Sequence, residues 1–200
     1  MEEYKIIGLV GKKYSGKTSC AIFLCDEFDY INISFADPLK DILKTLFFLT
    51  DNQLNGYEKE ANVTGLGISP RTLMQQIGTD LFRDRLKECI PALELQNKSI
   101  WIWHLEQRIC RLIAEGRKRI VVSDIRFEDE LACIKRLNGK VIHIRRTISL
   151  LDAHSSENLI LAPEDVDCVI DNVGSIEDIQ LKLHKIVLSL SLFKQFILLY

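Results

Sequence analysis

The run Gly11-Lys12-Lys13-Tyr14-Ser15-Gly16-Lys17-Thr18 is the feature that most constrains the fold of this chain. It matches G-x-x-x-x-G-K-[ST] at every fixed position and directly follows an apolar run at residues 5–10 (KIIGLV). That run is typical of a strand buried on both faces, and the motif requires a strand before it and a helix after it. Glycines let the backbone approach phosphate oxygens, while the lysine reaches the β- and γ-phosphates and the threonine hydroxyl holds Mg²⁺. The sequence therefore predicts a nucleotide site formed by Gly11, Ser15, Gly16, Lys17, Thr18 and Ser19.

Strand-like and helix-like segments alternate along the rest of the chain. The patterns predict strands at residues 5–10, 31–35, 119–124, 140–145 and 168–170. They predict helices at residues 17–28, 39–49, 70–86, 100–115 and 128–137, and a last helix capped by Ser175. Such alternation implies crossover connections and therefore an α/β fold. We expect a three-layer P-loop NTPase fold with a mainly parallel five-stranded sheet flanked by helices.

Length and composition limit the remaining possibilities. The 200 residues suggest a single domain covering residues 1–200. The 26 Lys and Arg against 28 Asp and Glu give a net charge of −2 without a long basic run, which argues against nucleic acid or an anionic membrane as a partner. The six cysteines have no Cys-x-x-Cys spacing and no export signal precedes them, so we expect reduced thiols in the cytoplasm and neither disulfides nor a zinc site.

Two segments have a less definite pattern. Residues 50–69 are polar, contain three glycines and are expected to form a mobile connection. The apolar C-terminal run at residues 186–200 is interrupted by Lys194 and Gln195 and is too short for a membrane crossing. We expect it to form a packed terminal helix or a contact in a homodimer.

A second acid follows a buried strand. Asp124 ends the run Ile120-Val121-Val122-Ser123-Asp124, at the edge of the sheet where α/β folds gather ligands. Its carboxylate can orient a Mg²⁺-bound water or hold a substrate hydroxyl, and Arg126 can bind a phosphate through a bidentate fork. The alternative is a helix cap beside a surface arginine. The phosphate motif in the same sheet favours the functional interpretation.

The segment 69–80 (SPRTLMQQIGTD) indicates an acceptor site. Arg71 and Gln75 share one face of a helix, and a break at Gly78-Thr79-Asp80 exposes backbone and a carboxylate nearby. A cation, an amide and an acid suit a small acceptor that carries both a phosphate and base edges. From the spacing alone, an ordinary capped surface helix is the favoured interpretation.

The sequence resembles the bacteriophage deoxynucleoside monophosphate kinases over nearly the whole chain. The matching stretches occur in the order of that family: GLVGKKYSGKT, SFADPLKDIL, LNGYEKE, SPRTLMQQIGTD, VVSDIRFEDE, GKVIHIRR, HSSE and VIDNVGS. The animal-type phosphomevalonate kinases are similar in the phosphate motif, the SFADPLK-like stretch and the SD-x-R strand end, but lack the SPR-x-LMQ-x-x-GTD form. Tyr14 departs from the family pattern, because some members have a basic residue there.

The resemblance implies an enzyme that transfers the γ-phosphoryl group of ATP to a deoxynucleoside monophosphate, with Mg²⁺ as cofactor. It implies that Lys13 and Arg71 hold the acceptor phosphate, and that Ala36 and Asp37 lie beside the reacting phosphates. It implies an acceptor pocket for base and sugar formed by Gln75, Gly78, Thr79, Asp80, Trp101, Asp124, Arg126 and Glu130, with Trp101 stacking on the acceptor.

The resemblance also implies a domain plan. Residues 38–116 would form a helical acceptor-binding insertion and residues 146–162 a lid loop, in which Arg146 clamps ATP and the HSSE residues His154 and Glu157 close over it. Helix 39–49, residues 50–69 and the lid are expected to exclude water during transfer. Two alternatives remain open at this point: a phosphomevalonate-type kinase, and a nucleotide-binding regulatory module without turnover. A viral origin would place the protein in the host cytoplasm.

Overall fold

The computed structural model describes residues 5–96, 98–146, 159 and 161–197, with side chains described as far as residue 190. Its strands are β1 (Lys5–Val10), β2 (Ile31–Ile33), β3 (Arg119–Ile125), β4 (Lys140–Arg145) and β5 (Cys168–Asp171). Its α-helices are α1 (Lys17–Phe28), α2 (Asp37–Phe47), α3 (Asp51–Asn55), α4 (Pro70–Gln75), α5 (Leu86–Cys89), α6 (Ile100–Ala114), α7 (Glu128–Arg136) and α8 (Ile176–Ile197). Two 3₁₀-helices (Tyr57–Glu60 and Pro163–Asp165) and a π-helix (Gln76–Arg85) complete the regular structure.

The five strands form one sheet in the order β2-β3-β1-β4-β5. All four neighbouring pairs are parallel, with Ile7 opposite Val121 in one pair and Gly8 opposite Val141 in another. The chain leaves β1 towards one edge of the sheet and leaves β4 towards the other. Ligands of such sheets bind where this direction changes, at the carboxyl ends of the strands.

Helices cover both faces of the sheet, because successive strand side chains point to opposite sides. On one face, Ile7 and Leu9 of β1 join the buried cluster that includes Leu24 of α1 and Leu183 of α8. On the other face, a Cβ at Gly8 would lie 3.1 Å from Cγ2 of Ile134 in α7, so this strand and helix are tightly packed. The expected three-layer α/β fold with a parallel five-stranded sheet is confirmed.

The chain divides into two compact units. The first comprises the residues up to Ile33 and those from Ile113 onward, and therefore contains the whole sheet. The second runs from Ser34 to Leu112 and is helical. The single domain of 200 residues stays a prediction, and so do the boundaries of the helical insertion at residues 38–116.

The segment expected to be a mobile connection contains regular structure. Residues 50–69 include α3 and a 3₁₀-helix, and only the remainder is irregular. A capping box explains the start of α3, because the backbone N–H of Gln53 donates to Thr50 Oγ1 at 3.2 Å and the N–H of Thr50 donates to Gln53 Oε1 at 2.8 Å. The sequence prediction gave weight to the glycines and missed this Thr-x-x-Gln signal.

The predicted strand at residues 31–35 ends two residues early, because a turn follows Ile33. There, the backbone N–H of Ser34 donates to Asp37 Oδ2 at 3.0 Å and the Ser34 hydroxyl donates to Asp37 Oδ1 at 2.5 Å. The predicted lid at residues 146–162 lies mostly outside the described residues, and so do His154 and Glu157. None of the helices in the described part of the chain combines the length and apolar content that a membrane crossing requires.

Candidate functional site

The phosphate loop (residues 11–18) connects β1 to α1 at the carboxyl edge of the sheet. Gly16 has φ +106°, a value that favours glycine, and a Cβ there would lie 2.8 Å from Nδ2 of Asn172. A Cβ at Gly11 would meet the carbonyl oxygen of Ile144 in β4. Two glycines of the motif therefore occupy positions that a larger residue would disrupt, and the backbone between them curves into an open cradle.

Lys17, in the first turn of α1, lies across this cradle. Its ammonium donates to the carbonyl oxygens of Gly11 at 2.6 Å and Lys12 at 2.8 Å. These bonds keep the positive charge within the loop, where backbone N–H groups and the positive end of α1 already favour an anion. The arrangement suits the β- and γ-phosphates of a nucleotide.

A cavity of about 540 Å³ opens beside the loop, within the range of small-molecule sites. The phosphate-loop residues from Tyr14 onward line one part of it, together with Ser19, and Arg146 after β4 lines another. The turn between β5 and α8 and the first turn of α8 complete the lining with Asn172, Gly174, Ser175, Ile176 and Ile179. All the expected donor-site residues except Gly11 line this cavity. Gly11 instead begins the loop, packed against the carbonyl oxygen of Ile144.

The hydroxyl of Ser15 is a buried polar group that needs a ligand. Ser15 is 1% exposed, and its Oγ has no hydrogen-bond partner among the described residues. An unsatisfied buried hydroxyl costs free energy, which a bound phosphate oxygen would recover. This orphaned group supports the interpretation of the loop as a phosphate site.

The residues present also fit a magnesium ion. The described residues contain no cluster of three or more His, Cys, Asp or Glu side chains that could hold a metal by themselves. Mg²⁺ in kinases does not need such a cluster, because phosphates and waters supply most of its ligands. Thr18 is exposed on the cavity wall, and Asp124 lies near the end of β3, half-buried.

The segment after β3 is fixed by a buried carboxylate. Glu130 is 3% exposed, and its Oε2 accepts the backbone N–H groups of Arg126 at 2.8 Å and Phe127 at 3.2 Å. These bonds cap α7 and set the backbone of Arg126, whose side chain is half-buried. The structure thus gives Glu130 a capping role, and its expected place in the acceptor pocket stays a prediction.

Five of the expected acceptor residues lie on one continuous helical run in the second unit: Arg71, Gln75, Gly78, Thr79 and Asp80. Arg71 is the second residue of α4, and its Nε donates to Glu60 Oε1 at 2.5 Å. Gln75 is half-buried at the end of α4, where the run widens into the π-helix. Asp80 is exposed in the π-helix, whereas Thr79 is 8% exposed.

Trp101 of α6 holds the π-helix in place. Its indole Nε1 donates to the carbonyl oxygen of Gly78 at 2.8 Å, and its ring packs against Phe82 with the centroids 5.4 Å apart. Trp101 is 7% exposed, so most of the ring is occupied by packing inside the protein. The stacking on an acceptor base that the resemblance implies stays a prediction, and the observed contacts are structural.

Comparison with known proteins identifies the family. Residues 50–183, more than half of the chain, match the sequence profile described as deoxynucleotide monophosphate kinase. A protein of Acanthamoeba polyphaga mimivirus, provisionally named a deoxynucleotide monophosphate kinase, is 38% identical over 178 residues, which cover 86% of this chain and 91% of that protein. This chain belongs to the deoxynucleotide monophosphate kinase family.

A phage relative agrees with this assignment, and a solved structure agrees with the fold. The deoxynucleoside-5'-monophosphate kinase of Escherichia phage T5 is 25% identical over 145 residues, which cover 68% of this chain and 53% of the phage protein. The Thermus thermophilus protein TT1252 has a TM-score of 0.50 at 19% identity and covers 94% of this chain and 99% of its own, which supports the fold alone. The resemblance drawn from the sequence is confirmed, and the chain is a kinase.

Asp37 of this deoxynucleotide monophosphate kinase is more constrained than its sequence suggested. Besides the two bonds from Ser34, its Oδ2 accepts Arg108 Nη1 of α6 at 2.6 Å. The side chain is 31% exposed. The carboxylate therefore fixes the start of α2 and ties it to α6, next to Ala36. Its expected place beside the reacting phosphates stays a prediction.

Two residues of the kinase were not found from the sequence. Asn172 donates from Nδ2 to the carbonyl oxygen of Ser15 at 2.8 Å, and so connects the end of β5 to the phosphate loop. Arg108 holds Asp37, as described above. The only sequence signal for Asn172 was its place in the matching stretch VIDNVGS, and Arg108 had none.

Proposed function

We propose that this kinase transfers the γ-phosphoryl group of ATP to a deoxynucleoside 5'-monophosphate and produces the diphosphate. The observation that carries the proposal is the phosphate loop, with Lys17 held across a cradle that opens into a nucleotide-sized cavity. Family membership supports the choice of acceptor. ATP and the monophosphate are then the small-molecule substrates.

On the donor side, the chain supplies positive charge where negative charge develops. Lys17 would bind the transferred phosphoryl group, and the N–H groups of the loop would bind the phosphates behind it. Arg146 lines the same cavity and would clamp the donor from the side of β4.

Mg²⁺ would be held by the Thr18 hydroxyl, with Asp124 acting through a bound water. When bound, the ion neutralises phosphate charge and helps to align the donor. The chain would contribute the Thr18 hydroxyl, next to Lys17 in the phosphate loop, and the Asp124 carboxylate of β3.

On the acceptor side, we assign Lys13 and Arg71 to the monophosphate. A guanidinium presents a planar fork that matches two phosphate oxygens, and a lysine adds a point charge. Arg126 and Asp124 would contact the acceptor near the reacting phosphates. No general base is required, since the phosphate dianion is itself a nucleophile.

The experiment is an ADP-release assay with ATP and Mg²⁺ against the common deoxynucleoside and ribonucleoside monophosphates and mevalonate 5-phosphate. We expect turnover on one or more deoxynucleoside monophosphates. Lys17→Ala should lower kcat by about 10²–10³-fold, since it removes a preorganised charge from the transition state. Arg71→Ala should raise KM for the acceptor by about 10–100-fold, the value of a lost charged hydrogen bond.

Two charge-matched controls exclude a general effect of removing a cation. Lys140→Ala breaks a surface ion pair with Asp167 at the opposite edge of the sheet, and Arg85→Ala breaks an exposed pair with Glu88. Both should keep wild-type kinetics. Turnover on mevalonate 5-phosphate alone would refute the proposed acceptor, and ATP binding without any turnover would favour a regulatory module.

Three finer expectations belong to the same proposal. The relatives of this kinase come from a virus and a phage, which supports action in the cytoplasm of a host cell. The near-neutral net charge supports small molecules rather than nucleic acid or a membrane as partners. A homodimer contact through residues 186–200 stays a prediction that light scattering of the purified protein tests directly.

A further inference from the structure

Arg71 is a largely buried cation with a definite partner. Its side chain is 15% exposed, and its Nε lies 2.5 Å from Glu60 Oε1. The partner is more accessible, since the Glu60 side chain is 54% exposed. A guanidinium that is largely removed from water needs a nearby negative charge, because an unpaired buried charge raises the free energy of the folded protein.

Both partners are carried by ordered turns. Glu60 ends the 3₁₀-helix that follows α3, and Arg71 stands in the first turn of α4, which is capped by Ser69. Between them, the backbone N–H of Val63 donates to the carbonyl oxygen of Ile68 at 3.0 Å, which closes the intervening loop at its base. The ion pair therefore forms with little loss of chain entropy and holds one geometry.

We propose that Glu60 is a positioning residue that orients Arg71 for the phosphate of the acceptor, an inference that rests on the proposed function of Arg71. The contact at Nε fixes the plane of the guanidinium. A fixed plane presents the fork in one direction, so binding a phosphate costs less orientational entropy.

A carboxylate beside a phosphate site also has an opposing effect, since it repels the incoming dianion. The relative exposure of the two side chains decides between the effects. Glu60 is half in solvent, where water and salt screen its field, whereas Arg71 is mostly enclosed with its Nε against the Glu60 carboxylate. Orientation therefore outweighs repulsion, and loss of the Glu60 charge weakens acceptor binding.

The test is steady-state kinetics of Glu60→Gln, an isosteric change, together with Glu58→Gln as the matched control on the same 3₁₀-helix. We expect Glu60→Gln to raise KM for the deoxynucleoside monophosphate about 5–10-fold, a typical loss for one charged hydrogen bond, with kcat and KM for ATP within about twofold of wild type. Glu58→Gln should match wild type. In an Arg71→Lys background, Glu60→Gln should have no further effect, because the oriented fork is already absent.

A KM for the acceptor that stays unchanged or falls in Glu60→Gln would overturn the inference, and so would an equal increase in the Arg71→Lys background. If Glu60→Gln does not fold, Glu60→Asp serves instead, with a smaller rise in KM expected and the same outcomes decisive. A wild-type protein that does not phosphorylate any deoxynucleoside monophosphate would instead refute the proposed function. The two failures are therefore distinguishable.

Discussion

Asn172 lies outside the phosphate loop but is hydrogen-bonded to its backbone. Its side-chain amide donates to the carbonyl oxygen of Ser15, and its backbone N–H donates to the carbonyl oxygen of Arg145, each at 2.8 Å. Asn172→Asp replaces the donor with a second acceptor and leaves the Ser15 carbonyl facing a negative charge. We expect the free energy of unfolding to fall by about 1–3 kcal/mol and the affinity for ATP to weaken, as measured by urea unfolding and calorimetric titration.

The neighbouring Val173 supplies the control for this prediction. Its side chain is 81% exposed, so Val173→Ala should change neither quantity. Equal stability and equal ATP affinity in Asn172→Asp and Val173→Ala would show that the bond to Ser15 does not hold the loop.

The contrast between Lys17 and Asn172 shows which site residues could be predicted from the sequence. Lys17 belongs to a local motif whose spacing encodes its chemistry. Asn172 acts through a hydrogen bond to a residue 157 positions away, and no local pattern records such a contact. Glu130 is intermediate between these two. The resemblance identified the residue as important, but only the structure shows that its carboxylate accepts the N–H groups at the start of α7.

At the scale of elements, local sequence signals predicted where helices begin but did not predict that residues 76–85 form a π-helix. The predicted cap of the last helix is confirmed, since the N–H of Asp178 donates to Ser175 Oγ at 3.2 Å and the N–H of Ser175 donates to Asp178 Oδ2 at 2.9 Å. The π-helix was predicted as plain helix with a break at Gly78. The contacts at Gly78 are tertiary, so no local pattern records them: a Cβ at Gly78 would meet Leu39 of α2, and Trp101 donates to the carbonyl oxygen of Gly78.

Trp101→Phe removes the long-range hydrogen bond from α6 to the π-helix while most of the ring packing is kept. The carbonyl oxygen of Gly78 then lacks its observed partner in a buried position. We expect a loss of about 1–3 kcal/mol in unfolding free energy and a higher KM for the acceptor, because Gln75 and Asp80 belong to the same helical run. Urea unfolding and acceptor titration measure the two effects.

Trp103 provides a matched control two residues further along α6. It is 43% exposed, so Trp103→Phe should cost little stability and leave KM unchanged. If both variants lose the same stability, the effect belongs to tryptophan replacement on α6 in general. If Trp101→Phe loses stability without any change in KM, the π-helix does not take part in acceptor binding.

At the scale of the whole molecule, three titratable groups, one on the sheet and two outside it, have shifted pKa values that lower stability in acid. Burial lowers the pKa of His143 on β4 below its ordinary value of 6.5, and the nearby charges of Arg145 and Lys17 lower it further. Burial likewise lowers the pKa of His104 on α6, with Arg108 and Arg111 adding to the effect. A hydrogen bond from Lys135 lowers the pKa of Asp165 below 3.8.

These shifts all make the protein less stable in acid, but in different pH windows. A histidine with a lowered pKa is neutral in the folded protein, so the unfolded chain binds more protons as the pH falls below 6.5. Its contribution is complete above that pH and is lost as the pH falls towards the folded pKa. The contribution of Asp165 is complete above pH 3.8 and is lost as the pH falls through its lower folded value.

We therefore expect the unfolding free energy of the wild-type protein, measured by urea titration at a series of pH values, to fall as the pH drops below 6.5. His143→Gln cannot take up a proton there, so its stability should decline less steeply in that window. Asp165→Asn should keep the wild-type slope in that window and lose part of the slope only below pH 3.8. If the unfolding free energy of His143→Gln depends on pH as steeply as that of wild type, protonation of His143 does not limit stability in this window. The acid sensitivity would then arise from other groups, of which His104 is the first to replace.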